Sequence, residues 1–273
     1  MGFRACPRRD DPFTHKVREI YGANVVAAPR AGIEPLETLA IQDDRTEPRG
    51  HLRHMLDGEP PEFPQVTSAP AAALSGTRSA AVNAKLGGEL SAKFLAALGV
   101  PVPGASLETT LWQGASSFAF EVRDVRERQV DLAALGQAIN GHFLARTPAT
   151  EIFLEDKSQQ LVLITRTLTS SSFAVRATGA GGQAIKVALD GLSDLLGNAQ
   201  ADLSWERQHD DWISFTGTMP VAFAFGVVPC LIGPDLRLVF GLTRKDLTLG
   251  ASQAKPQTEP RPAIDRPGLL TFD

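Results

Sequence analysis

The sequence predicts an α+β fold, a twisted and mostly antiparallel sheet with surrounding helices. Three observations lead there. Residues 107–130 and 161–177 alternate apolar and polar side chains with a period of two, the pattern of a half-buried strand. Apolar spacing by four appears in separate segments, most clearly at Val82, Leu86, Leu90, Phe94 and Leu98. Strands and helices do not alternate regularly, and the continuous apolar runs of a buried parallel sheet are missing.

Taken in order, Asp11 and Pro12 open a short helix with Phe13, Val17, Ile20 and Tyr21 on one side. Gly22 ends it, and residues 23–28 form an apolar strand stopped by Pro29. A turn through Pro35 leads to a second extended piece at 39–42. Residues 43–81 carry many charges, then Pro60, Pro61, Pro64 and Pro70 among alanines, with few periodic apolar positions, so a long mobile loop is expected there. The helix at 82–98 stops at Gly99 and Pro101. Asp131 caps a helix expected over 132–144, and strands are expected at 151–155, 161–169 and 173–177. A helix at 185–196 and strands at 202–208, 212–217, 221–231 and 236–241 complete the body.

Composition bounds what the chain does. Its 273 residues are 43% apolar and 21% charged, ordinary for a soluble protein with a sizeable core. A net charge of -4 and a pI near 5.8 give no global reason to expect a nucleic-acid partner. Two cysteines, Cys6 and Cys230, argue for a reducing compartment over a disulfide framework. No run reaches the roughly 18 to 20 apolar residues of a spanning helix, and the start of the chain lacks a signal-peptide core.

Chemistry is sparse. His51 and His54 lie three apart without a carboxylate or cysteine set of metal spacing, so no metal site is expected. No nucleophile elbow and no Walker pattern occur, and no catalytic residue is assigned. The segment Gly179-Ala180-Gly181-Gly182-Gln183-Ala184 has the outline of a dinucleotide-binding turn, with Asp202 downstream. A nucleotide-binding enzyme built on 179–184 is therefore the competing reading. Against it, Asp202 opens a polar-alternating strand, and a glycine-rich connection needs no ligand.

The chain divides into a body, 1–242, and a tail, 243–273. The tail carries Pro256, Pro260, Pro262 and Pro267 in a segment too polar to bury itself, then ends on Leu269, Leu270 and Phe272. Two readings stay open on composition: a frayed terminus, or a short apolar plug on a protease-accessible strap.

The stretch Tyr21-Gly22-Ala23-Asn24-Val25-Val26-Ala27-Ala28-Pro29-Arg30-Ala31-Gly32-Ile33-Glu34-Pro35-Leu36 resembles the opening of the bacterial gasdermins. The likeness continues in order through Pro101-Val102-Pro103, Ser116-Ser117-Phe118-Ala119-Phe120, Val130-Asp131 and a short C-terminal tail. Each motif is short, and the specificity lies in their order. The resemblance implies a cytoplasmic, non-enzymatic pore-forming protein held as an inactive monomer by its own C-terminal peptide. A caspase-like protease would release it within 243–273, where Arg244, Lys245, Leu247 and Leu249 are the cut-site candidates. Leu269, Leu270 and Phe272 would form the inhibitory plug.

The active form implied is a homo-oligomeric β-barrel among the lipids of the cell inner membrane, causing cell death in anti-phage defence. The family also implies an acylated cysteine, here Cys6, carrying a palmitoyl group; no other cofactor is expected. Arg4, Arg8 and Arg9 around Cys6 ease thiolate formation. A membrane strand needs about 9 to 11 alternating residues, which marks Phe118, Phe120, Val122, Leu161, Leu163, Phe173 and Val175 as lipid-facing candidates. Glu121, Arg123, Thr165 and Thr167 would face water. Two departures stand out: the Pro- and Ala-rich stretch at 57–81 is longer than the family pattern suggests, and no overall positive charge is evident.

Overall fold

A computed structural model describes residues 3–5, 12–42, 45–78, 82–98, 114–155, 159–185, 203–233, 235–240 and 270–272. The strands of one large sheet are β1 (Phe3–Ala5), β2 (Asn24–Arg30), β3 (Glu37–Gln42), β4 (Arg45–His51), β5 (Val66–Pro70), β6 (Thr77–Arg78) and β7 (Val82–Asn83). They continue with β8 (Ser117–Arg123), β9 (Arg126–Val130), β10 (Gln160–Thr178), β11 (Ser204–Arg207), β12 (Ile213–Ile232), β13 (Leu238–Phe240) and β14 (Leu270–Phe272). Among the described residues four helices accompany them: α1 (Pro12–Tyr21), α2 (Ala84–Ala97), α3 (Leu132–Ile139) and α4 (Pro148–Glu155). Among the described strands every pairing is antiparallel except β14 with β2.

The centre of the sheet is the pair β10 and β12, of 19 and 20 residues. Sequence reading breaks each into two strands, because polar residues interrupt the apolar pattern near Ser170 to Ser172 and Thr218. The chain remains extended there by bulging. At the last irregularity Ser170 faces Val221 while Ser172 faces Thr216, so Gly217, Thr218, Met219 and Pro220 loop out of the ladder. Met219 is left 69% exposed. On the other side of β10, β8 and β9 form one hairpin arm kinked at Asp124, whose φ is +49°. Its register passes through the kink without a slip, from Arg123 opposite Ser172 to Arg126 opposite Thr169.

Three apolar clusters result. The first packs α1 and α2, through Phe13, Val17, Phe94 and Leu95, on β8, β10 and β12. The second packs α3 and α4, through Leu135, Ile139 and Phe153, on Leu161, Leu163 and Cys230. The third joins Val26, Leu39, Val162, Ile164, Phe225 and Val227 of β2, β3, β10 and β12.

Several elements differ from the sequence expectation. Residues 43–81 are not simply a loop: they supply β4, β5 and β6 and a helical turn at Leu52–His54. Leu52, Met55, Leu56, Ala71 and Leu74 are buried from within that stretch, at spacings that follow neither helical nor strand period. The strand expected at 151–155 is helix α4. Pro148 occupies its first position, the Glu151 amide bonds the Thr147 carbonyl at 2.9 Å, and the Thr150 hydroxyl accepts from the Thr147 amide at 2.9 Å. The helix after Asp131 is shorter than expected, ending at Ile139 before Gly141 at φ +87°. Its cap is as read, Asp131 Oδ1 accepting from the amides of Ala133 and Ala134 at 2.8 and 2.9 Å. Ile20, expected on the apolar side of α1, is 44% exposed. The strand part at 107–113 and the helix expected from 185 onward lie outside the described residues.

Candidate functional site

The C-terminal strand β14 lies inside the sheet. It runs antiparallel to β1, with Leu270 opposite Ala5, Thr271 opposite Arg4 and Phe272 opposite Phe3. On its other side it runs parallel to β2, with Leu270 opposite Val26. β1 continues to β4, β4 to β3, β3 to β10 and β10 to β12, which itself pairs with β2. The pairings therefore form a circuit in which the three residues of β14 are the link between β1 and β2. Val26 beside this seam is 1% exposed and belongs to the third cluster, so the seam overlies buried apolar side chains.

The second part of the site is the ribbon of β8 on β10. Phe118, Phe120 and Val122 face Ala177, Val175 and Phe173 across the ladder. The rings interlock: Phe173 lies 5.0 Å from Phe215, 4.9 Å from Phe94 and 6.2 Å from Phe120 between centroids. Helices α1 and α2 pack on this face together with Ala71 and Leu74, and Phe118, Phe173 and Val175 are at most 1% exposed. Leu161 and Leu163 lie further along β10 and belong to the second cluster, under α3 and α4. The structure thus brings five of the seven lipid-facing candidates together and separates the other two. Of the residues expected on the polar side, Glu121, Thr165 and Thr167 are buried, the last two at 1% and 0%, and Arg123 is partly exposed. Glu121 is held by Arg123 Nε at 3.1 Å. A covering layer on each side, not solvent, therefore decides which residues of the long strands are buried.

A charged node fixes α1 to this ribbon. Arg166 sits at a bulge of β10, meets the Glu127 carboxylate at 2.6 Å and donates to the Tyr21 carbonyl at 2.8 Å and to Gln129 Oε1 at 3.2 Å. Its guanidinium lies 5.8 Å from the Tyr21 ring centre. Burial first, and then the Glu127 charge, push the Tyr21 phenol above its ordinary pKa, while Arg166 opposes them.

The remaining candidates fall outside this arrangement. His51 accepts from the Arg53 amide through Nδ1 at 3.1 Å and packs edge-on against Phe63, its pKa lowered mainly by burial. Among the described residues no group of histidine, cysteine or carboxylate side chains is arranged to hold a metal. Cys230 is buried and its thiol is pushed up to about 12 by burial, an inert core cysteine. The glycine-rich segment folds back on itself. Gly179 donates to the Gln183 carbonyl at 2.9 Å and Ile185 to the Ala177 carbonyl at 3.0 Å, an antiparallel reversal over the described residues 177–185. Among the described residues no helix is long and apolar enough to cross a membrane, which leaves strand-based crossing untouched.

A profile of the Bacterial Gasdermin Family matches residues 26–235. The chain belongs to this family. It is 27% identical to Gasdermin bGSDM of Lysobacter enzymogenes over 215 residues, covering 76% of each chain. Against Gasdermin bGSDM of Vitiosangium it is 27% identical over 237 residues, covering 85% of this chain and 82% of the relative. Its fold matches the structure of a bacterial gasdermin from Bradyrhizobium tropiciagri with a TM-score of 0.61 at 12% identity, over 85% of this chain and 90% of the other.

Within this gasdermin fold, Leu270 and Phe272 of the expected plug lie in β14. Leu269, Cys6 and the cut-site candidates Arg244, Lys245, Leu247 and Leu249 fall outside the described residues. Two parts of the site escaped sequence reading. The β1 triplet Phe3-Arg4-Ala5 is too short to carry a period, and the Arg166 to Glu127 pair depends on which strands are neighbours. Opposite charges on consecutive strands were the only available signal for the second.

Proposed function

We propose that this chain is an autoinhibited, non-enzymatic pore-forming effector. A caspase-like protease cuts between the body and the C-terminal strand, within 243–273; the freed body assembles with copies of itself into a membrane β-barrel, and the cell dies, limiting phage infection. Before cleavage the protein is a cytoplasmic monomer, and afterwards it acts in the cell inner membrane. A palmitoyl group on Cys6 stabilises the resting form, since a single acyl chain gives only marginal membrane anchoring.

One observation carries this reading beyond family membership: the Leu270–Phe272 strand is internal to the sheet, between β2 and β1. Removal of a strand paired on both sides opens the sheet between its neighbours β1 and β2. Opening exposes two unpaired strand edges, which pair readily with other strands. Among the described residues the 179–184 segment turns back antiparallel to β10, which does not favour the nucleotide-binding reading.

The test is leakage from liposomes loaded with a self-quenching dye. A chain ending at residue 249 should release the dye and the full-length chain should not; absence of leakage from both would sink the reading. Replacing Leu269, Leu270 and Phe272 together by Asp should be toxic on expression without protease, and a harmless triple variant removes them from the inhibitory role. Intact mass of the wild type and Cys6→Ala decides acylation.

A further inference from the structure

Cutting a strap does not by itself remove a strand that is hydrogen-bonded on both sides. What holds β14 after the cut decides how fast the cut takes effect. Its two neighbours contribute unequally: among the described residues three register pairs join it to β1, and one joins it to β2. β1 in turn has β4 on its other side, through Phe3 opposite Thr46 and Arg4 opposite Arg45.

That other side is weakly built. Thr46 is fully buried, and its hydroxyl has no hydrogen-bond partner among the described residues, a cost carried at the β1 to β4 contact. Past the two residues that meet β1, β4 carries Pro48 and Gly50, which pair with Leu39 and Thr38 of β3, so among the described residues β1 meets β4 through Arg45 and Thr46 alone. β4 reaches the body through β3, whose pairing with β10 spans Gln160 to Leu163. Two strands of three residues, each the other's main neighbour, are too short to persist singly.

We propose that the N-terminal strand β1 is the second half of the closure: β1 and β14 seat cooperatively, and residues 3–5 set how long the cut tail stays bound. This rests on the reading that the tail is removed by cleavage, and it names the element that governs the tail's release. The physical basis is reciprocity. If seated β1 raises the affinity of the sheet for β14 by some factor, seated β14 stabilises β1 by the same factor. After the cut the tail is a peptide ligand, and half of its site is the opposite end of the chain.

The test uses the full-length chain with a recognition sequence for a site-specific protease inserted between Ala254 and Lys255. After cutting, an excess of synthetic peptide of residues 255–273 competes with the retained tail, and native mass spectrometry follows exchange over time. The parent is compared with a chain lacking residues 2–5 and with Arg4→Pro, which removes one ladder amide. Tail loss should be at least about tenfold faster in both variants, within the usual range of coupling between sites. In the parent, the amides of residues 3–5 should lose hydrogen-exchange protection by a matching factor once the tail has gone. Tail loss in both variants within about twofold of the parent, or unchanged N-terminal protection after tail loss, overturns the proposal. The exchange arm uses the parent alone, so a misfolded variant leaves the question decided. Liposome leakage on the same samples separates the two readings. Coupling without leakage rejects the pore and leaves the coupled strands; leakage without coupling does the reverse.

Discussion

Arg166 of β10 contacts the Glu127 carboxylate of β9 at 2.6 Å, with both side chains mostly withdrawn from water. The same guanidinium donates to the carbonyl that ends α1, so one cation ties the first helix to the central sheet. Removing it strands a carboxylate and a helix-end carbonyl together.

Arg166→Met is therefore expected to destabilise the fold by about 2 kcal/mol, below the roughly 3 to 5 kcal/mol for loss of one partner of a fully buried pair because some solvent remains. Glu127→Leu added to it should recover part of that loss, since the stranded charge is gone. Urea unfolding midpoints of the two variants check this, and a double variant no better than the single contradicts it.

Phe173 is the hub of the ring cluster, touching Phe94, Phe120 and Phe215. Phe173→Ala should cost roughly 3 to 5 kcal/mol, because the covering helix cannot collapse fully into the space left. Phe173→Leu should cost clearly less. Equal losses for the two would show that cavity size is not the controlling quantity.

Thr165 and Thr167 are buried on β10 with hydroxyls that lack a hydrogen-bond partner among the described residues. Valine has nearly the same shape and suits a strand. Each Thr→Val change is expected to stabilise by about 0.5 to 1 kcal/mol, by removing an unsatisfied hydroxyl from the interior. Thermal unfolding decides: a fall in midpoint for both variants means that these hydroxyls are satisfied in solution.

Burial first, then the charges of Arg53 and His54, hold the His51 imidazole below its ordinary pKa. The folded chain thus binds fewer protons there than the unfolded chain, so this contribution is complete above about pH 6.5 and is lost as pH falls through the lowered value. Glu37, opposite His51 on β3, works the other way. Burial and then Glu34 raise its pKa, against an opposing effect of His54, so its contribution is lost as pH rises from 4.5 through the raised value. His51→Gln should flatten the fall in melting temperature between pH 6.5 and 5.5. Parallel curves for wild type and variant would remove His51 from that response.

Local pattern by itself determined the α+β class, the antiparallel character of the sheet, the cap at Asp131, the helix at Ala84–Ala97 and the order of motifs that marks the family. These are legible because period, cap and turn chemistry act over a few neighbouring residues. Tertiary structure decided the rest. Residues 43–81 read as loop because Leu52, Met55 and Leu74 are buried by partners far along the chain. The polar interruptions in β10 and β12 read as ends, whereas bulges and a neighbouring strand carry the backbone through them. An apolar tail tip was visible in Leu270 and Phe272, but its place between β1 and β2 was not, because pairing brings together residues more than 240 positions apart in the chain. Three-residue strands have no period of their own, and only the sheet around them determines whether they form.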